Sequence, residues 1–350
     1  MDLYIYSPTI EQQGVIDSYS SFRWRRRFFE PGEFELHCPA TDKNLLLLKE
    51  KNIIHRLDRK EGGLIEGVTV STIKGDGDEI TVVGRFISSK LSDRIITPTI
   101  NFSGTVEVAM RKVVSDNAIT ARPINLLSLG ALNGFTPTTA FQATYKYVLP
   151  TLTALAKSSG IGFRVRLDVP NKALVFETYQ GVNRTVTQTA IPYVLFSKEF
   201  NNIVNPKYVF NSQNHKNYAI VGGEGEGAAR VIVEVDQTNG EPRRELWVDA
   251  KDLTQGDLTL ADYQAQLRQR GLEKLVELEK SESFSADALN TKNFEYLTNW
   301  DLGDIVSFEK WGIRLDQRIT EVEEVDENSV ITITPVCGTP LPEVLNLGSD

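Results

Sequence analysis

The stretch FRWRRRFFEPGEFELHC, residues 22–38, holds the most basic run of the chain and interleaves it with aromatics. Two readings compete for it. As a stacking platform it would hold single-stranded nucleic acid between aromatic rings. As a β-strand it places Phe22, Trp24, Arg26 and Phe28 on one face and Arg23, Arg25 and Arg27 on the other. The net charge of −9 favours the strand, because a general nucleic-acid binder carries a basic footprint. The three arginines are then available to pair with acidic neighbours across a subunit boundary. After the turn Glu30-Pro31-Gly32, Phe34-Glu35-Leu36-His37-Cys38 alternates again.

Working outward, the first hundred residues read mostly as strands. Leu3–Tyr6 and Gly14–Tyr19 alternate, and Gly63–Ile73 and Glu79–Phe86 flank Lys74-Gly75-Asp76-Gly77-Asp78, a hairpin signal. One helix near Asp42–Lys51 has Thr41 as its N-cap. Many strands with tight turns and one helix predict a small barrel. The character changes after Pro98. Ser103 caps a predicted helix over Thr105–Ser115, and residues 141–158 form another, in which Pro150 kinks the helix or starts its second half. Gly160-Ile161-Gly162 ends it, and Val165–Val169, Leu174–Thr178 and Thr185–Thr189 predict a small sheet. This is an α+β unit over 101–204.

Strands return at Lys207–Phe210, Asn217–Val221, Ala229–Val235 and Glu245–Val248. A long helix follows, with Thr259-x-x-Asp262 as a variant capping box and Gly271 weakening its middle. Strands then run at Ser281–Ala286, Ile305–Lys310, Ile313–Val325 and Ser329–Val336, with a solvated acidic turn at Asp326-Glu327-Asn328. The predicted class is α+β, mainly β.

NYAIVGGEGEGAARVIVEV, residues 217–235, tests for phosphate chemistry. Gly222 and Gly227 have the spacing of a phosphate loop, but Ala228 and Ala229 replace the expected Lys and Ser/Thr. The G-x-G-x-x-G pattern starting at Gly223 meets Ala228 at its third position, which tolerates alanine. The β-branched run that follows argues strand, and Glu224 and Glu226 place negative charge where a phosphate would sit. The expected structure is a glycine-rich hairpin or bulge between strands.

Other chemistry is sparse. His37, His55 and His215 are scattered, and no Cys or His pair has metal-ligand spacing. Cys38 and Cys337 lie near opposite ends of the chain, as suits a reducing cytoplasm. Asp76, Asp78 and Glu79 fall short of the EF-hand pattern. There is no G-x-S-x-G elbow, and 47 acidic residues give too many accidental carboxylate pairs to choose one. No catalytic, cofactor-binding or metal residue is assigned. The N-terminus lacks a signal peptide, and no apolar run reaches membrane-spanning length.

Four stretches carry a family resemblance: Arg27–Leu36; Val221–Gly227 with Arg230; Gly240–Ala250; and Trp300-Asp301-Leu302-Gly303-Asp304-Ile305-Val306 followed by Arg318–Val322. They resemble, in order, the siphovirus tail-hub (baseplate hub, tail-associated) proteins of phages and prophages of Gram-positive bacteria. The resemblance implies a homotrimer whose subunits each give two barrel-like tube domains, making a pseudo-sixfold ring. It implies residues 1–100 as the first tube barrel and 205–250 with 290–340 as the second. The α+β unit at 101–204 and a helical insertion at 251–289 are then inserted elements, and 341–350 is a C-terminal tail.

The expected role is structural: closing the tail tube and anchoring the tail tip in the virion, after assembly in the bacterial host cytoplasm. Expected partners are a distal tail protein and tape-measure or tail-fibre proteins, with DNA passing through the lumen unbound. Some larger hubs continue into a hydrolase or fibre. This chain ends at Asp350, so such an activity is expected from a partner. Glu224, Glu226, Arg23, Arg25 and Arg27 are candidate lumen or interface residues. The alternatives are a tail-associated cell-wall hydrolase and a host carbohydrate- or receptor-binding module.

Overall fold

In the computed structural model, residues 1–73, 77–289, 291 and 294–339 are described. The tip Lys74–Asp76 of the expected hairpin and the segment 341–350 therefore lie outside the described residues. The fold is α+β and mainly β, with 44% of residues in strands and 18% in helices. The described residues form two compact units that interleave along the chain: residues 1–180 with 216–277 and 324–331, and residues 181–215 with 278–323 and 332–339.

In the first unit, Ser21–Arg27 pairs antiparallel with Glu33–Pro39, which pairs with Gly77–Arg85, which pairs with Gly67–Ile73 at the edge. The alternation read from the sequence governs the packing. Phe22, Trp24, Arg26 and Phe28 are buried, and Phe34, Leu36 and Cys38 meet them from the neighbouring strand. The single strand expected over Gly63–Ile73 is two. Gly62–Leu64 pairs with Ile53–His55, whereas Gly67–Ile73 pairs with Gly77–Arg85. The chain changes sheets where Ile65 N–H donates to Asn52 C=O and Glu66 N–H to Val83 C=O.

Helix α1, Asp42–Leu47, is capped by Thr41, whose hydroxyl accepts from Asn44 N–H. Helix α2 is Val106–Val114, and its N-cap is Thr105. Ser103, the expected cap, instead pairs with Ala140 in the two-stranded sheet of Ile100–Thr105 and Thr138–Ala143. That sheet also takes the first residues of the expected 141–158 helix. Helix α3 begins only at Val148 and runs to Ser159. Pro150 sits in its first turn, where a missing N–H costs nothing. Gly160, at φ 70°, ends it in the left-handed conformation that glycine favours. Both α2 and α3 contribute to one apolar core with Phe163, Val165 and Phe176 of the antiparallel pair Gly162–Asp168 and Ala173–Tyr179.

Helix α4, Leu260–Val276, covers a three-stranded sheet in which Tyr218–Gly222 is central. Ile232–Asp236 flanks it antiparallel and Glu245–Asp249 parallel. Thr259 caps α4 by accepting from Asp262 N–H. A Cβ on Gly271 would stand 2.8 Å from methyls of both Val221 and Val235, so this glycine lets the helix lie close on the sheet.

The second unit holds Leu195–Ser197, Ile305–Lys310, Ser281–Ala288 and Ile203–Asn211, with residues 313–323 of the strand Ile313–Glu327 and residues 332–338 of the strand Val330–Gly338. Its core stacks Phe196 on Phe308 at 4.3 Å, with Phe284 4.7 Å from Phe308 and Trp300 5.3 Å from Phe196. Thr185–Thr189, expected as a strand, is a turn region, because side chains satisfy its backbone. Thr185 N–H donates to Asn183 Oδ1 and Val186 N–H to Ser307 Oγ, both at 3.0 Å. Among the described residues no helix is long and apolar enough to cross a membrane.

Candidate functional site

The arginine face of Ser21–Arg27 is built by strand register. Arg23 stands opposite Glu35, and Arg25 opposite Glu33. Arg23 Nη2 is 2.8 Å from Glu35, Arg25 Nη1 3.3 Å from Glu33, and Arg27 Nη2 3.1 Å from the same Glu33. The arginines thus have carboxylate partners within their own chain. Opposite charges facing across a strand pair stabilise the register by a few tenths to about 1 kcal/mol each. Arg23 keeps the most exposed side chain of the three, at 35%.

The ladder continues through His37. Its Nε2 is 2.8 Å from Glu35 and its Nδ1 3.5 Å from Glu79. Burial lowers the His37 pKa, but the hydrogen bonds to Glu35 and Glu79 outweigh it and leave the value raised. The His37 hydrogen bond, with help from Arg23, holds the Glu35 carboxyl below its usual range.

The glycine-rich segment is a hairpin extension. Beyond the pair Gly222 and Ile232, Gly223 N–H donates to Val231 C=O and Val231 N–H to Glu224 C=O. Gly227–Ala229 is a 3-10 turn, so the strand expected over Ala229–Val235 runs instead over Ile232–Asp236. A Cβ on Gly222 would lie 2.5 Å from the Trp247 ring, and one on Gly223 2.3 Å from the Tyr263 hydroxyl. The glycines therefore make room for an aromatic and a guanidinium. Arg230 Nε donates to Gly223 C=O and its Nη2 to Gly222 C=O, at 2.9 and 2.8 Å. The same guanidinium pairs with Asp249 and lies 5.0 Å from the Trp247 ring centroid.

Glu224 is half-buried and Glu226 exposed. Glu224 N–H donates to the Tyr263 hydroxyl at 2.7 Å, and its carboxylate accepts from Gln255 N–H at 2.9 Å. The N–H groups of Gly223 and Glu224 are thus engaged inside the fold, which argues against a phosphate cradle here.

Two of the resembling stretches come together in this place. Val221–Arg230 and Gly240–Ala250 lie side by side, with Gly222 opposite Asp249. The fourth stretch has its own role in the second unit. Asp304 accepts from Val182 N–H at 2.7 Å and Arg184 Nε at 3.0 Å, while Arg318 Nη1 donates to Gly303 C=O at 2.6 Å. These residues tie a turn to its flanking loop.

Sequence reasoning missed a buried ionic cluster in the first unit. Glu324 accepts from Arg56 Nη1 at 3.0 Å and from Arg59 Nε at 2.9 Å, and Asp58 closes the outer side. It also missed Asp326, which is buried and accepts from the Tyr19 hydroxyl at 2.6 Å rather than sitting in a solvated turn. Burial and this bond push the Tyr19 pKa up. Among the described residues no group of three or more His, Cys, Asp or Glu side chains is arranged to hold a metal ion.

Known structures place the fold. A tail protein from Neisseria meningitidis MC58 aligns at a TM-score of 0.60 and 15% identity, over 96% of this chain and 95% of its own. The 43 kDa tail protein of prophage MuSo2 from Shewanella oneidensis aligns at 0.61 and 12%, over 97% and 99%. Prophage tail protein gp18 from Listeria monocytogenes EGD-e aligns at 0.57 and 11%, over 99% and 97%. No curated protein matches the sequence. The fold is that of phage and prophage tail proteins. Residues 2–339 match the profile of the Siphovirus ReqiPepy6 Gp37-like proteins, and the chain belongs to that family.

Proposed function

We propose that this chain is a structural tail-hub protein, with three copies forming a pseudo-sixfold ring that closes the tail tube and anchors the tip for DNA delivery. One observation carries the reading beyond the fold. Among the described residues, Gly67–Ile73 and Ile203–Asn211 each end a strand order with a pairing neighbour on one side alone. Val68, Val70, Val204 and Phe210 on these edges are exposed. A free protein rarely leaves such edges bare, because they template pairing with another chain. Heterologous edge pairing between copies closes a ring when the rotation closes.

In this reading residues 1–100 give one wall segment to the tube and residues 205–250 with 290–340 the other, and the work is assembly rather than catalysis. Distal tail, tape-measure or tail-fibre proteins stack on the ring in the virion, after assembly in the host cytoplasm. Glu224 and Glu226 face the lumen or a subunit boundary, and carboxylates there keep DNA phosphates from sticking. Arg23, Arg25 and Arg27, already paired to Glu33 and Glu35, give a charge-balanced face to a neighbouring copy.

The test is native mass by light scattering, with negative-stain images of the same fraction. The expected species is three times the 39.2 kDa chain, with a central hole. A monomer both alone and mixed with the distal tail protein would sink the proposal.

A further inference from the structure

The pair Asn-Gly occurs twice in the chain, at Asn133-Gly134 and at Asn239-Gly240. Both asparagines are exposed, and both lie in the first unit. The pair is chemically weak, because glycine puts no side chain beside the backbone nitrogen that follows the asparagine. That nitrogen can attack the side-chain amide carbon and expel ammonia. Sequence and exposure treat the two sites alike. Their hydrogen bonds set them apart.

Glu107, in the first turn of α2, is fully buried and takes its donors from the Asn133 loop. Its Oε1 accepts from Asn133 N–H at 2.7 Å, and its Oε2 from Gly134 N–H at 2.7 Å and Phe135 N–H at 3.1 Å. The Thr178 hydroxyl donates to the same carboxylate at 2.8 Å. Asn133 Nδ2, the group that would leave, donates to Thr178 C=O at 2.9 Å and to Glu107 at 3.2 Å. Nucleophile and leaving group are thus both held. Freeing them strips a buried carboxylate of its backbone donors, which is costly.

Asn239 has no such guard. Thr238-Asn239-Gly240-Glu241 is a turn closed by Glu241 N–H donating to Thr238 C=O at 2.9 Å. Asn239 at φ 49° and Gly240 at φ 88° give it the type I′ form that Asn-Gly favours. Such a turn carries the Gly240 nitrogen away from the Asn239 side chain, so attack waits for the turn to open. Little resists the opening. Asn239 Nδ2 reaches Gln237 C=O only at 3.4 Å, and among the described residues no hydrogen bond holds the Gly240 N–H. The stems of the loop are fixed separately by Asn217. Its C=O accepts from Gln237 N–H, its Oδ1 accepts from Arg244 N–H, and its Nδ2 donates to Pro242 C=O. The tip can therefore open while the sheet stays paired.

We propose that Asn239 is a site of spontaneous conversion to aspartate and isoaspartate, and that Glu107 protects Asn133 from the same reaction. The Gly240 nitrogen forms a bond to Asn239 Cγ, the Cγ–Nδ2 bond breaks, and the Gly240 amide proton departs with the expelled nitrogen as ammonia. Water then opens the five-membered imide at either carbonyl. Opening at Cα's carbonyl gives isoaspartate, and opening at Cγ gives aspartate. Water is the one reactant, and nothing is oxidised or reduced. Either product adds a negative charge to the tip. Isoaspartate also lengthens the backbone by one carbon, which breaks the bond between Glu241 and Thr238. The reaction does not depend on assembly into a ring.

Peptide mapping by mass spectrometry tests this on the full chain, kept folded for weeks in mildly alkaline, oxygen-labelled water beside a second sample in urea. Uptake of the label marks conversion that occurred during the incubation. The folded rate at each site is read relative to its rate in urea, which removes the effect of neighbouring residues. That ratio should be about tenfold or more lower at Asn133 than at Asn239, as the costlier opening implies. Glu107→Gln keeps the shape and loses the charge. It should raise conversion at Asn133 about fivefold or more and leave Asn239 unchanged. If that variant does not fold, the parent's two ratios decide. Equal ratios at the two sites, or an Asn239 as protected as Asn133, overturn the proposal. A folded Glu107→Gln chain whose Asn133 stays protected overturns the part assigned to Glu107.

Discussion

Glu324 and Arg56, 268 positions apart in sequence, meet as a buried ion pair 3.0 Å long. Arg59 binds the same carboxylate, and all three side chains are almost fully shielded from water. Such a cluster is weak evidence of net stability, since desolvation offsets much of the attraction. Removing one member is another matter, because it strands the others. Glu324→Ala takes the shared carboxylate from two buried guanidinium groups and leaves them the exposed Asp58. The expected loss is about 3–5 kcal/mol, read as a drop in the urea midpoint at unchanged slope. A loss below roughly 1 kcal/mol would mean that water already reaches the cluster.

Gly271→Ala opposes two effects. Alanine favours a helix interior over glycine by about 0.8–1 kcal/mol. Its methyl, however, would sit 2.8 Å from both Val221 and Val235, and overpacking a core costs about 1–3 kcal/mol. The clash is with two β-branched residues on a sheet, which have little room to turn away. Net destabilisation is expected, with a lower Tm. A raised Tm would show that α4 can lift off its sheet cheaply.

Those two cases show what was and was not legible in the sequence. Alternation exposed the inward face of Phe22, Trp24 and Phe28, since period two is a local property of a strand. It also gave the strands around Gly222–Gly227. It did not give Glu245–Asp249 as a parallel partner of Tyr218–Gly222, because pairing is set by distant packing. Gly271 read as a weakness in a helix, when its reason lies on the sheet beneath. Glu324 read as one of many acidic residues in a strand. Nothing local distinguishes it, and only the fold brings Arg56 and Arg59 to it. The candidate site was legible in residue type but not in role: Arg230 was picked out, and its clasp on Asp249 and Trp247 was not.

Tyr263→Phe tests the tether under the glycine-rich hairpin. The hydroxyl accepts from Glu224 N–H at 2.7 Å and donates to Leu253 C=O at 2.9 Å. Removing it leaves a donor and an acceptor without that partner in a crowded place. The expected cost is about 1–3 kcal/mol, with faster amide exchange at Glu224. Unchanged exchange there would show that the hairpin's other bonds hold it without the tyrosine hydroxyl.

His37 predicts a pH dependence with a definite sign. Its folded pKa is raised above the ordinary value near 6.5. Its contribution to stability is therefore complete below about pH 6.5 and is lost as pH rises through the higher folded value. Glu35 works in the opposite sense. Its pKa is lowered, so its share is present above the usual carboxylate range near 4.3 and is lost as pH falls through the folded value. Together they favour the weakly acid side of neutrality. Urea midpoints for the parent and His37→Gln should converge as pH rises past neutrality. A constant gap from pH 5 to 9 would show that His37 contributes by packing alone.

Val70→Lys puts the assembly reading to a sharper test than mass alone. Val68 and Val70 lie opposite Val82 and Ile80 in register, so they share the apolar face of that sheet. Yet Val82 and Ile80 are fully buried, whereas Val68 and Val70 are exposed, because the edge strand carries the face beyond the core. A lysine there loses little that the isolated chain had buried, so the unfolding midpoint should move by no more than about 0.5 kcal/mol. It would, however, place a charge on an open edge, which is how natural sheets prevent pairing. If copies join through Gly67–Ile73, the variant should fall from ring to monomer in light scattering while its circular dichroism stays that of the parent. A ring that survives Val70→Lys, and the double change with Val68→Lys, would move the contact away from this edge and leave its bare valines without the explanation offered here.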